Sequence, residues 1–301
     1  MDDKSNLFTH VGPLTGHDDT QYGHVSFWRD VFRRFFSSRA TIVFLVLLVG
    51  IFLGCLIIPA VNKDAISGIN AASINAKPGA GHIMGADRYG HDVFIKAWSG
   101  GRMSFLVGFV AAILQAVIGV LIGAIAGYFG GKVDMIIMRI VDICIAIPYL
   151  IVVLAIQMVL GRGVDTIIIA LVATGWLNTA RLTRGQVLQL KNEDYIMAAQ
   201  SLGVKPARIM LDHLLPNVFS VILVSVTLAI PQAMFSEAFL SFIGLGTSDV
   251  SWGSLIRTGM DVRALAPWQL IWPSILLAAT MLCIQMLGDS MRDALDPKLR
   301  R

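Results

Sequence analysis

The segment Asp194-Tyr-Ile-Met-Ala-Ala-Gln-Ser-Leu-Gly-Val-Lys-Pro-Ala-Arg-Ile-Met-Leu-Asp-His-Leu-Leu-Pro-Asn217 interrupts a chain of long apolar runs with two short, partly polar helices. Tyr195 to Leu202 reads as the first, and Gly203 supplies the left-handed backbone that stops it. Pro206 suits the first turn of the second. That helix is expected to end before Pro216, because a proline drives its preceding residue out of the helical region. Two short helices joined at a glycine bend make a rigid knob. Ala198 and Ala199 have almost no side chain, so another surface can come close, and a short rigid element seated in a cleft moves with that cleft.

On both sides of the knob lie apolar runs of about the 20 residues that a helix needs to cross a bilayer core. Six spans are expected, over 40–61, 104–129, 135–160, 166–188, 218–242 and 268–287. The fourth is the weakest, because Arg181 and Arg184 shorten its apolar part. Composition agrees: 55% of the 301 residues are hydrophobic and only 15% are charged, against roughly a quarter charged in soluble domains. The expected fold class is all-α, a polytopic membrane protein. Its parts are a cytoplasmic tail with an interfacial amphipathic helix (1–39), a first anchor (40–61), an extracytoplasmic loop (62–103), a core (104–287) and a cytoplasmic tail (288–301). The core holds the knob loop 191–217 and an extracytoplasmic segment 244–267.

Lys and Arg divide about two to one in favour of the side that holds both termini, which places both termini in the cytoplasm. No cleavable secretory signal is read at the start, so the first apolar run is expected to stay as an anchor. In Ser26-Phe-Trp-Arg-Asp-Val-Phe-Arg-Arg-Phe-Phe-Ser37 the aromatic residues fall on one helix face and Arg29, Arg33 and Arg34 on the other. Such a helix lies in the headgroup region or packs on a partner; the pattern admits both. Gly119, Gly123 and Gly127 recur every four residues, a face that lets another helix approach to backbone contact. Pro148 and Pro231 lie within spans and free backbone carbonyls there.

Chemistry-bearing motifs are scarce. Ala126-Gly-Tyr-Phe-Gly-Gly-Lys-Val133 mimics a phosphate loop but lacks its first glycine and its hydroxyl residue, and it follows an apolar helix. The histidines at 10, 17, 24, 82, 91 and 213 show no metal-binding helix spacing. The seven-residue recurrence of His10, His17 and His24 leaves weak metal affinity in the tail open. Cys55, Cys144 and Cys283 sit in apolar runs and read as small hydrophobes. No catalytic residue, bound cofactor or metal site is expected, and net charge gives no reason to invoke nucleic acid. Ionisable residues at membrane depth are costly and often functional. The candidates for a path or gate are Glu237, Asp142 and Gln232. Asp142 is expected to pair with Arg139 or a neighbouring helix, and the glutamines to bond between helices.

The Ala-Ala-x-x-x-Gly and Leu-Pro-Asn pattern of the knob resembles the cytoplasmic loop of importer permeases of the ATP-binding-cassette superfamily. Other blocks agree. Gly85-Ala-Asp-Arg-Tyr-Gly-His-Asp-Val93 is similar to an outer-loop signature of dipeptide and oligopeptide permeases. Gly130, Gly131, Asp134, Met138, Arg139, Asp142 and Pro148 match a second block, and Trp176, Ala180, Arg181 and Arg184 stand in family register. Glu237-Ala-Phe-Leu-Ser-Phe-Ile-Gly-Leu-Gly246, Ser251-Trp-Gly253, Gly288-Asp289 and Arg292-Asp-Ala-Leu-Asp-Pro-Lys-Leu-Arg300 complete the match. The resemblance, over about 27–301, is to the second permease of the peptide/nickel transport family. Met197 departs from a common Glu, His91 from an Arg, Ala86 from a Thr and Gln285 from an Asn.

This resemblance implies the type I importer permease fold in the plasma (inner) membrane. It also implies a second homologous permease, two ATPase subunits that use ATP and Mg, an extracytoplasmic binding protein, and a peptide substrate. It assigns the knob as the coupling element, with Tyr195, Met197, Ala198, Ala199, Gly203, Arg208, His213, Pro216 and Asn217 as candidate ATPase contacts. Asp87, Arg88, Asp92 and Trp252 become candidate contacts for the binding protein. Import of nickel or another small solute is the alternative within the family, and a secondary transporter or channel the alternative outside it. A receptor or structural protein leaves the knob without a role.

Overall fold

The computed structural model describes residues 27–62, 70–79 and 81–295, the side chain of Phe27 excepted. The histidines at 10, 17 and 24 lie outside these residues. A short helix α1 (Phe27–Phe35) leads into α2 (Arg39–Val61). After the loop come α3 (Val93–Phe129), α4 (Gly131–Ala146), α5 (Tyr149–Leu160), α6 (Val164–Leu190) and α7 (Asp194–Ser201). A three-residue α8 (Pro206–Arg208), a π-helical segment Ile209–Leu214 and α9 (Leu215–Phe242) follow, then α10 (Trp252–Asp261) and α11 (Trp268–Leu295). Among the described residues the only extended pairings are the isolated bridges Gly79–His82 and Ala86–Asp92.

α2, α3, α6, the Pro206–Phe242 rod and α11 are each long and apolar enough to cross a membrane. α4 and α5 make a sixth span if read together, although they are bent by 88°. The break falls at Ile147 and Pro148, where the proline ring cannot accept a continuing helix behind it. α3 begins earlier than its apolar run suggests. Asp92 caps it by accepting from the Phe94 amide at 2.7 Å, and the charged residues of its first turns find partners. Lys96 bonds Asp87, and Arg102 bonds the carbonyls of Cys55 and Leu56.

The second helix of the knob does not end before Pro216. It runs without interruption into α9, giving one rod of 37 residues. The reason is local: the Leu215 amide reaches back to the Met210 carbonyl, the wider π spacing, which takes up the disturbance of a proline that lacks an amide hydrogen. Pro216 therefore sits in the first turn of α9, where its missing donor costs little.

α3 is the central helix and packs most extensively on α6. The glycine face does this work. A Cβ on Gly119 would lie 2.6 Å from Thr179 Cβ. One on Gly127 would lie 2.9 Å from the Arg184 carbonyl oxygen. Backbone contact of that kind replaces the hydrophobic drive that is absent between helices in lipid. Polar side chains add cross-links: Gln115 donates across to the Leu171 carbonyl of α6 at 3.0 Å, the expected helix-to-helix bond, while Gln157 donates at 2.6 Å to the Leu245 carbonyl in the loop after α9.

Candidate functional site

The knob is fastened to the bundle by an apolar plug. Ile196 of α7 is fully buried with Ile209, Leu214, Val218 and Val187, against Ala124 and Tyr128 of α3. Gly203 adopts φ +74°, and the bend closes with the Val204 amide bonding the Ala199 carbonyl at 3.1 Å. At the base, Asn217 Nδ2 donates to the His213 carbonyl at 2.6 Å and to Tyr195 Oη at 3.3 Å. Lys191 Nζ caps the end of α3 through the Tyr128 carbonyl at 2.5 Å. Outside this fastening, Tyr195, Met197, Ala198, Gly203, Pro216 and Asn217 are exposed and Ala199 and His213 half-buried. Arg208 is also exposed and pairs with Asp212 at 3.1 Å. The structure thus gathers all nine residues singled out in this loop on one protruding element.

Two ion pairs join α4 to α6. Asp134 receives a two-pronged grip from Arg184, the Nη2 contact being 2.5 Å. Asp142 pairs with Arg181 at 2.5 Å rather than with Arg139. α6, α9 and α11 border a cavity of about 460 Å³ lined by Leu182, Ser220, Ser225, Leu228, Arg292 and Leu295, among others. Gln232 is exposed on α9, one turn beyond Leu228 on the same helix face.

Glu237 lies elsewhere. Its side chain is fully buried and accepts from Ser104 Oγ of α3 at 3.2 Å and Ser241 Oγ at 2.7 Å. Ser251, the cap of α10, donates to Ser241 at 3.4 Å. This carboxyl ties α3, α9 and α10 together. Trp252 is fully buried too, its indole nitrogen donating to the Ala97 carbonyl at 2.7 Å. Its expected role as a surface contact is corrected: an enclosed indole offers nothing to a docked protein and instead pins α10 to α3.

The loop 85–92 is a compact clasp at the end of the bundle opposite the knob. Asp87, itself buried, accepts from the amides of Tyr89 and His91 at 2.8 and 2.9 Å and from Lys96 at 2.5 Å. Burial pushes this carboxyl up, but the Lys96 bond, the two amide bonds and the Lys96 charge outweigh it and hold it below its ordinary value. His91, where the family pattern has Arg, still faces Asp87 at 3.3 Å. His82 faces Asp92 at 3.1 Å. The Ala86 carbonyl accepts from Trp268 and Gln269 at the start of α11. Of the contact candidates here, Arg88 is exposed, with its guanidinium 5.0 Å from the Tyr89 ring. Asp92 is partly accessible, whereas Asp87 is turned inward. Among the described residues no group of three or more His, Cys, Asp or Glu could hold a metal ion.

Residues 119–301 match the family described as binding-protein-dependent transport system inner membrane component. The chain belongs to this family. As such a transport component it is a multi-span protein of the inner membrane, served by a substrate-binding protein. Residues 26–78 also match the N-terminal transmembrane domain of oligopeptide transport permease C. The chain is 42% identical over 279 residues to the oligopeptide transport system permease protein OppC of Bacillus subtilis (strain 168), covering 92% of each. It is 39% identical over 287 residues to the dipeptide transport system permease protein DppC of that organism, covering 94% of this chain and 90% of the relative. The Escherichia coli (strain K12) OppC is 40% identical, covering 91% of this chain and 92% of the relative. Among solved structures, the inward-facing MetNI methionine ABC transporter superposes with a TM-score of 0.55 at 20% identity. That alignment covers 65% of this chain and 94% of the other and shows a shared permease fold. In this transport component the serine cage around Glu237 has no sequence signal, because Ser104 is 133 residues away in the chain. Of the two α4–α6 pairs, only that of Asp142 was anticipated, as a pairing with a neighbouring helix.

Proposed function

We propose that the chain is one of two permease subunits of an ATP-driven importer of dipeptides or oligopeptides. It forms half of the translocation path and catalyses no reaction itself. The observation that carries this reading is identity near 40% over nine-tenths of the chain with permeases named for oligopeptide and dipeptide transport. Two ATPase subunits, using ATP and Mg, bind the knob, so the knob end and both termini face the cytoplasm. The binding protein docks at the opposite end, on Arg88, Tyr89 and the loop around α10. The face of α9 that carries half-buried Ser225 and Leu228 and exposed Gln232 lines the path against the second permease. ATP binding closes the ATPase pair, the knob follows, and the fused α9 carries the motion into the membrane; the nucleotide must favour the outward-open state for this to drive import.

Reconstitution of the purified complex with its binding protein tests this. Saturable, ATP-dependent uptake of short peptides is expected, with nickel ions neither transported nor competing. Gly203→Val is expected to leave the complex assembled while uptake falls sharply. Normal uptake by that assembled variant overturns the coupling role, and nickel transport without peptide transport overturns the substrate.

A further inference from the structure

Helix α1 carries two apolar edges where a surface helix needs one. At about 100° per residue, its apolar arc runs through Val31 and Phe35, then Trp28 and Phe32, and Phe36, just past the helix end with its amide bonded to the Phe32 carbonyl at 3.0 Å, extends it. The first edge is used by the protein: Val31 and Phe35 are buried with Val224 of α9 and Leu287, Ala294 and Leu295 of α11. The second edge is more open. Phe32 is 58% exposed, Phe36 46% and Trp28 45%, the last packing edge-on against Phe219 at 6.1 Å. Next round the helix come Arg29 and Arg33, both exposed. Arg39, exposed as well, opens α2. Asp30 offsets part of this charge by bonding Arg33 and Arg34, each at 2.9 Å. Asp293 lines a cavity beside Arg34.

Only residues 36–38 separate α1 from the membrane span α2, at most about 14 Å of extended chain. The exposed edge is therefore held at the boundary of the hydrocarbon. Aromatic rings bordered by guanidinium groups at that depth match lipid whose headgroups are anionic.

We propose that α1 is a binding surface for anionic phospholipid, with the rings of Phe32 and Phe36 among the acyl chains and Arg29, Arg33 and Arg39 on the headgroup phosphates. Because its other edge grips α9 and α11, lipid held there bears on the rod that carries the knob. The binding itself does not rest on what the chain transports.

The test uses the assembled complex in phosphatidylcholine nanodiscs, with a bimane attached through Phe36→Cys and the unsubstituted protein as background. Brominated phosphatidylglycerol and brominated phosphatidylcholine are compared at equal mole fraction. The anionic lipid is expected to quench at least about five-fold more effectively, the enrichment one near-surface charge gives. Arg29→Gln, Arg33→Gln and Arg39→Gln together should bring that ratio to about one while quenching by both lipids persists. Should the triple variant fail to assemble, salt at about 1 M, where screening acts over about 3 Å, is expected to collapse the ratio in the otherwise native protein. Equal quenching by the two lipids overturns the proposal. So does a ratio that neither substitution nor salt alters, and so does the absence of quenching by either lipid, which would mean that protein covers this edge.

Discussion

Asn217 Nδ2 donates to the Tyr195 hydroxyl at 3.3 Å, across 22 positions of chain, and so closes the base of the knob. The same nitrogen bonds the His213 carbonyl at 2.6 Å, where the π-helical segment passes into α9. Tyr195→Phe removes one exposed bond and is expected to cost about 0.5 kcal/mol, whereas Asn217→Ala removes both and costs about 1.5 kcal/mol. If the brace transmits force, both variants also hydrolyse more ATP per solute imported than the parent complex. Measuring hydrolysis and uptake on one preparation checks this.

Two glycines answer differently to the same change. A Cβ on Gly123 would meet the Ala180 carbonyl oxygen and lie 2.8 Å from Thr183 Cβ, so Gly123→Val forces α3 and α6 apart. That overpacking is expected to cost about 3 kcal/mol and to lower the yield of assembled complex. Around Gly203 nothing lies within 4 Å, and the cost is the φ of +74°. Gly203→Ala should lose about 1 kcal/mol, confined to the knob. Thermal unfolding of the two variants in detergent gives the order.

The α4–α6 ion pairs are unequal. Asp134 is largely enclosed and gripped at two oxygens by Arg184, while Asp142 and Arg181 are each about half open to solvent. Arg184→Ala strands a carboxylate and is expected to cost about 3 kcal/mol. Arg181→Ala should cost no more than about 1 kcal/mol. Arg184→Lys keeps the charge but not the fork, and should fall between the two. Similar losses for the two alanine variants in urea unfolding would contradict the ranking.

The clasp around Asp87 has a pH signature. Its carboxyl is held below its ordinary value of 3.8, so it favours the folded clasp fully above that value. The contribution is lost as pH falls through the depressed folded value. The protection of the Tyr89 and His91 amides, taken relative to their intrinsic exchange rates, should therefore hold down to about pH 4 and weaken below it. Asp87→Asn should remove that pH dependence.

The spans, the knob and the order of elements were legible because each has a local cause. Apolar runs of bilayer length, Gly203 at the bend and the glycine face of α3 all act over a few neighbouring residues. What escaped the sequence depends on distant partners. Trp252 looked available for docking because nothing near it in the chain shows that Ala97 and Ser104 enclose it. The serine partners of Glu237 were hidden for the same reason. Pro216 misled in the other direction: a helix breaker by local rule, it sits where a π turn has already absorbed its cost.

That fusion has a mechanical consequence. Thirty-seven residues at about 1.5 Å each give a shaft about 55 Å long, while the hydrocarbon it crosses is about 30 Å thick. A shaft of that length, under the coupling role proposed above, serves as a lever arm with the knob as its handle. A tilt of about 5° swings the tip of so long an arm through about 5 Å, the width of a peptide backbone, with no joint having to bend.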